Sequence, residues 1–198
     1  MPSYTAPAGA ARAEIREKGS RFLAVVGPAA GEAEARAALA DLERRYPDAT
    51  HHCWAWRLGW PPRERASDAG EPAGTAGVPM LQVLRGAGLS DVLAVVVRWF
   101  GGTKLGKGGL ARAYAAAARE AVAGLEVAAR VPTVRVVLQV PYEKVGAVKR
   151  LIRPPEVELA AEEYGAAARL ELAVHEERLE ALGEALADLG VSLEDALL

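Results

Sequence analysis

Lys104 and Lys107 stand three residues apart among five glycines in FGGTKLGKGGLARAY, residues Phe100 to Tyr114. Lysine carries a compact charge on a flexible stem, suited to reaching a phosphate oxygen from a loop. Glycine loses more backbone freedom on folding than any other residue. Five in one short stretch therefore need a reason, either a difficult turn or something approaching the backbone closely. The preceding DVLAVVVRWF reads as a buried strand, and an alanine-rich helix is expected from about Leu110 to Ala123. A strand, a glycine-rich turn and a helix start together form an anion-binding arrangement, because unpaired N–H groups and the positive end of the helix dipole point the same way. The candidate phosphate set is Arg98, Gly101, Gly102, Lys104, Gly106, Lys107, Gly108, Gly109 and Arg112. The plainer alternative is a tight turn requiring positive φ, with both lysines merely solvated. Gly101 to Lys107 also spells G-x-x-x-x-G-K, but Gly108 stands where a nucleotide-binding P-loop needs the magnesium-holding hydroxyl.

A second stretch, SDAGEPAGTAG, places Asp68 and Glu71 on a glycine-rich loop with Gly70 and Thr75. Two carboxylates can share a proton-transfer task or bind a cation, yet the default for Asp in a turn is to accept its own loop's N–H groups. No third strong ligand lies nearby in sequence, so no metal is assigned, and bracing of the glycine loop is the expectation. The third is HHC. Alternation along a strand puts His51 and Cys53 on one face and His52 on the other. A Cys–His pair would need a lowered thiol pKa and an orienting group. A lone cysteine among tryptophans is more often a small core residue. Trp54, Trp56, Trp60 and Trp99 could stack bases, although packing is the commoner use.

Local patterns supply the elements that must hold these residues. AARAEIREKGSRFLAVVGPA reads as two strands around a Lys18-Gly19-Ser20 turn, and GEAEARAALADLERRYPD as a helix with Ala35, Ala38, Leu39, Leu42 and Tyr46 on one face. HHCWAWRLGW is a strand, and PPRERASDAGEPAGTAG a loop by its Pro, Gly, Ser and Asp content. Thr75 is placed to cap a short helix through GVPMLQVLRG. Beyond Arg130 the pattern restarts with strand TVRVVLQV, helix EKVGAVKRLI, strands EVELAAEEY and AARLELAV, helix HEERLEALGEALADLG and a final short strand VSLEDAL. That β-α-β-β-α-β order is the ferredoxin-like split βαβ. Two domains are expected, over residues 1–130 and 131–198.

The 198 residues are 51% hydrophobic and 25% charged, ordinary for a globular protein with a core. Formal net charge is −2, but residues 1–130 hold 17 Lys+Arg against 13 Asp+Glu, and residues 131–198 hold 7 against 13. A mildly basic first part and an acidic second part point to different partners for each. One cysteine excludes an internal disulfide and suits a reducing compartment. No apolar run nears the roughly 20 residues of a membrane span, and the N-terminus lacks the signature of a signal peptide. The expected location is cytoplasmic, without membrane association.

KGSRFLA, DATHHCWAWRLG, SDAGEPAGTAGVPML and VVVRWFGGTKLGKGGLARAY together resemble the IMPACT family in its bacterial, YigZ-like branch, and the segment after Arg130 resembles that branch's small C-terminal domain. One departure is visible: members usually carry two adjacent acids before Gly-Glu-Pro, and Ala69 replaces the second. That weakens a metal or acid–base site in this loop. The resemblance implies an α+β chain with two domains. The first would resemble a fold seen in a ribosomal small-subunit protein (the S-five domain-two-like fold) and in elongation factor G. The second would be ferredoxin-like, similar to that factor's last domain. Eukaryotic relatives bind a partner of a translation-initiation kinase through an architecture with a different accessory domain. The expected function is a non-enzymatic, translation-associated protein binding RNA or a ribosome-associated factor through the cationic glycine loop, with no cofactor. Two alternatives stay open. One is an enzyme acting on a small phosphorylated or carboxylated substrate, with Asp68, Glu71 or His51 carrying protons. The other is a protein–protein adaptor using the acidic second domain.

Overall fold

The computed structural model describes residues 3–192, which divide into two compact units, one spanning Ser3–Arg130 and the other beginning at Val131. The first unit is built on a five-stranded antiparallel sheet of β2 (Ala11–Glu17), β3 (Ser20–Pro28), β4 (His51–Leu58), β5 (Arg63–Ser67) and β6 (Val92–Trp99), in the order β2-β3-β6-β4-β5. Alternation sorts each strand's side chains between two cores. Phe22, Ala24, Val26, Cys53, Ala55, Ala94 and Val96 face α2 (Gly77–Gly86) and α3 (Gly106–Ala123). Leu23, Trp56, Leu58, Leu93, Val95 and Val97 face α1 (Glu32–Arg45). Strand β6 is central and covered on both faces, which is why VLAVVV is an unbroken apolar run. A small ladder of β1 (Tyr4–Pro7) and β7 (Val127–Arg130), which the sequence patterns do not announce, joins the two ends of the unit.

Three local expectations need correction. The loop assigned to PPRERASDAGEPAGTAG contains β5, an edge strand whose Glu64 is held by Arg57 and Arg85. Charged edges are how sheets avoid further pairing, so a charged, proline-flanked run concealed a strand. Helix α3 begins at Gly106 rather than near Leu110, so Lys107, Gly108 and Gly109 belong to its first turn. Thr75 does not cap α2: its hydroxyl donates to the Pro72 carbonyl at 2.6 Å, and the cap is supplied from Asp68.

The second unit has a three-stranded antiparallel sheet in the order β8 (Thr133–Val140), β10 (Ala168–His175), β9 (Val157–Tyr164), with α4 (Tyr142–Lys149) between β8 and β9 and α5 (Leu179–Asp188) after β10. Its core is Val136, Leu138, Val140, Leu170, Leu172 and Val174 against Val148, Leu182 and Leu186. The strand expected at VSLEDAL lies almost wholly outside the described residues.

The glycines of the 101–109 stretch have separate uses. A Cβ built on Gly101 would sit 1.9 Å from the Gly19 carbonyl carbon, because the β2–β3 turn lies directly against the end of β6. Gly102 and Gly106 take φ of +88° and +71°, the left-handed region that side chains disfavour. Gly108 has neither constraint; its nearest neighbour is a mobile arginine tip at 3.4 Å. Gly101→Ala should therefore destabilise by about 1–3 kcal/mol through forced overpacking. Gly108→Ala should stabilise by about 0.5–1 kcal/mol. Urea unfolding of the two variants checks both signs.

Candidate anion-binding cleft

Within the first unit, the end of β6 and the start of α3 border an open cleft of about 400 Å³ whose lining includes His51, Glu71, Arg98, Phe100, Lys104 and Lys107. Its arrangement starts from one buried ion pair. Arg98 leaves β6 with 5% of its surface exposed, donates through Nη1 to Glu71 Oε1, and donates through Nη2 to Ser20 Oγ at 3.3 Å. The same Glu71 oxygen accepts the Tyr114 hydroxyl at 2.7 Å. One carboxylate therefore ties together the loop after β5, strand β6 and helix α3. Ser20 Oγ also accepts the Gly101 amide at 3.2 Å, and Thr50 Oγ1 the Phe100 amide at 3.0 Å, which pins the entry to the glycine stretch. The rings of Phe22 and Phe100 lie 5.3 and 5.5 Å from the Arg98 guanidinium carbon, within cation–π range.

The loop carrying Glu71 is shaped by Asp68. Its Oδ1 accepts the amides of Ala76 and Gly77 at 2.8 and 2.9 Å, and its Oδ2 accepts Gly74 at 2.8 Å. Asp68 thus caps α2 from eight residues upstream of Ala76, a side-chain oxygen filling the role sequence reasoning gave to Thr75. Partial burial pushes this carboxyl up, but the surrounding backbone donors outweigh it and hold the group below its ordinary value. Ala69 and Gly70 form the turn to Glu71 with φ of +44° and +88°, closed by the Glu71 amide on the Asp68 carbonyl at 2.9 Å. A left-handed conformation suits Asp or Asn better than Ala, so the departure at position 69 bears first on backbone strain.

Cys53 lies behind this wall. Its Sγ is 3.0 Å from the Asp68 carbonyl and 3.3 Å from the Tyr114 hydroxyl. Burial raises its pKa to about 12, with the charges of Glu71 and Asp68 adding to the effect and the Tyr114 hydrogen bond opposing it. Such a thiol stays protonated at neutral pH and packs as a small core residue, so the Cys–His reading of Cys53 does not hold. Tyr114, buried between Cys53 and Glu71, is likewise pushed up, by burial first. His51 does border the cleft: Nδ1 is 2.9 Å from the Ala69 carbonyl and Nε2 is 3.9 Å from Glu71 Oε1.

The predicted residues therefore separate. Lys104, Gly106 and Lys107 line the cleft with His51, Glu71 and Arg98, and no ion pair of either lysine occurs among the described residues. The Gly101 amide is turned inward to Ser20 and is not available to a ligand. Arg112 lines a different depression on α3, beside Lys18 and Leu105. Asp68 points into the α2 start, away from any role in proton transfer. Arg98 is not a free source of field, since Glu71 neutralises it. Sequence reasoning passed over Ser20, Thr50 and Tyr114; only the Tyr114 hydroxyl, at the end of the glycine-bearing segment, was close enough in sequence to be a signal. Among the described residues no three His, Cys, Asp or Glu side chains gather as a metal set, and no helix is long and apolar enough to cross a membrane.

Two predictions follow from the loop and the pair. Glu71→Gln leaves Arg98 buried without its counter-charge and should cost on the order of 3 kcal/mol of unfolding free energy, read by urea denaturation. Asp68→Asn should lower the unfolding temperature at pH 7. Because the folded chain depresses this carboxyl, its stabilisation is full above the ordinary aspartate range and is lost as pH falls through the lower folded value. The gap between Asp68→Asn and the parent should accordingly begin to narrow in melts recorded below about pH 4 and vanish only below the lower folded value.

The family model described as the Impact N-terminal domain matches residues 18–122, which include the whole cleft, and a domain of unknown function (DUF1949) matches residues 138–190. The chain is 34% identical to the Escherichia coli IMPACT family member YigZ over 95% of this chain and 94% of that one. It is 47% identical to a Thermus thermophilus IMPACT family member over 73% and 78% of the two chains. A crystal structure titled as that of a hypothetical protein superposes with a TM-score of 0.78 at 32% identity, covering 100% of both chains. On the match of its cleft-bearing unit and its near full-length relatives, this chain belongs to the IMPACT family.

Proposed function

We propose that the chain is a translation-associated binding protein that holds the phosphate backbone of RNA against the start of α3. The observation that carries this reading is the charge of the cleft lining: Arg98, Lys104 and Lys107 against Glu71 alone. Glu71 is spent on Arg98, which leaves two ammonium groups unneutralised beside a helix start with no side-chain cap. The first helical amides of an 18-residue helix lack intrahelical acceptors, and their dipoles add to the lysine charges. Gly106 and Gly108 keep that approach free of side chains. A non-enzymatic role fits better than proton-transfer chemistry, because Asp68 serves as a cap and Cys53 remains a thiol.

The translation setting draws on kinship. We read the first unit as the fold of the ribosomal small-subunit protein and the second as ferredoxin-like, both seen in factors that contact the ribosome, and the family's resemblance brings relatives that modulate translation. The phosphate reading stands or falls separately, through the salt dependence of RNA binding. For single strands each phosphate contact contributes about 0.7 to the slope of log affinity against log salt. Lys104→Ala/Lys107→Ala should weaken binding and flatten that slope by one to two units, measured by fluorescence anisotropy across a salt series. An unchanged affinity and slope would overturn the reading.

A further inference from the structure

Phosphate is not all that this cleft is equipped to meet, and other groups of its lining specify more about the ligand. His51 Nδ1 lies 2.9 Å from the Ala69 carbonyl oxygen. A carbonyl only accepts, so Nδ1 carries a proton, and Nε2 is then the nitrogen whose lone pair can accept. Glu71 Oε1 is 3.9 Å from that nitrogen, beyond hydrogen-bond reach and already engaged by Arg98 and Tyr114. The wall therefore offers an acceptor that calls for a donor from the ligand. A phosphodiester has no donor to give. A ribose 2′-hydroxyl beside the phosphate does, and it is the group that separates RNA from DNA.

Phe100 adds a third feature. It is 46% exposed, borders the same cleft, and is fixed at its amide by Thr50. An exposed aromatic ring next to unneutralised ammonium groups is the usual platform for an unpaired base, and bases in a duplex are not free to stack on it.

Resting on the phosphate reading above, we infer that the cleft takes single-stranded RNA in preference to DNA, with the ribose 2′-hydroxyl donated to His51 Nε2 and a base stacked on Phe100. Cations and acceptor then divide the nucleotide between them, the lysines and the α3 start taking the phosphate and His51 the sugar.

The test is fluorescence anisotropy of the full chain with three labelled single strands of one sequence: oligouridylate, its deoxy counterpart and its 2′-O-methyl counterpart. The 2′-O-methyl strand keeps an oxygen but has no donor. Oligouridylate should bind about tenfold more tightly than either, the equivalent of one hydrogen bond. His51→Asn keeps an N–H for the Ala69 carbonyl while removing the Nε2 acceptor. It should bring RNA down to the deoxy affinity and leave deoxy binding unchanged. Phe100→Ala should weaken all three strands about tenfold. Equal affinity of the unmodified chain for the three strands, with the lysine-dependent salt slope intact, overturns the ribose inference and leaves the phosphate reading standing. No binding to any strand overturns both. The three-strand comparison needs no variant, so it decides the matter even if His51→Asn unfolds.

Discussion

A buried guanidinium must be neutralised, and in this chain the Arg98–Glu71 pair sets the position of nearly everything around the cleft. Arg98 comes from the central strand, Glu71 from the loop ahead of α2, Tyr114 from α3 and Ser20 from the first position of β3. Four segments far apart in sequence converge because each supplies a partner that the others cannot do without. Removing the charge from water is expensive, and only a nearly complete set of hydrogen bonds offsets it. With the guanidinium anchored, the Phe100 ring beside it and the strand end leading into the glycine stretch have one place to go.

The same neutralisation decides which charges can face a ligand. An internal pair has little field left for the cleft, so the uncompensated positive charge of its lining is that of Lys104 and Lys107 beside the α3 start. The loop opposite is built the same way: Asp68 satisfies three amides at the α2 start and Cys53 stays a buried thiol. Groups that look reactive as residue types are occupied with holding the backbone in position. What remains uncommitted in the cleft lining is two ammonium groups, an exposed ring and one histidine nitrogen.

Much of this was legible beforehand. The β2–β3 turn, the alternation in HHCWAWRL and the unbroken VLAVVV run each report a local pattern, and each became the element expected. The glycine stretch was legible as a place of close approach or unusual backbone, and both occur, at Gly101 and at Gly102 and Gly106. What escaped was non-local. Strand β5 was hidden because its charged residues find their partners on neighbouring elements, Glu64 with Arg57 and Arg85 and Arg65 with Glu32. The α2 cap escaped because Thr75 is adjacent in sequence while Asp68 is adjacent in space. The start of α3 escaped because glycine carries no helical signal, although hydrogen bonding continues through it.

The sequence by itself determined the two-part periodicity, the position of the cationic glycine stretch and its kinship with the IMPACT family, since all three are properties of short contiguous segments. Only the tertiary structure decided which charges cancel. Whether Arg98 meets Glu71 or solvent, whether Asp68 faces a cleft or a helix end, and whether a cysteine can ionise all depend on desolvation and on partners tens of residues away. No local pattern encodes these, because the energy of a charge is set by what surrounds it after the chain has closed.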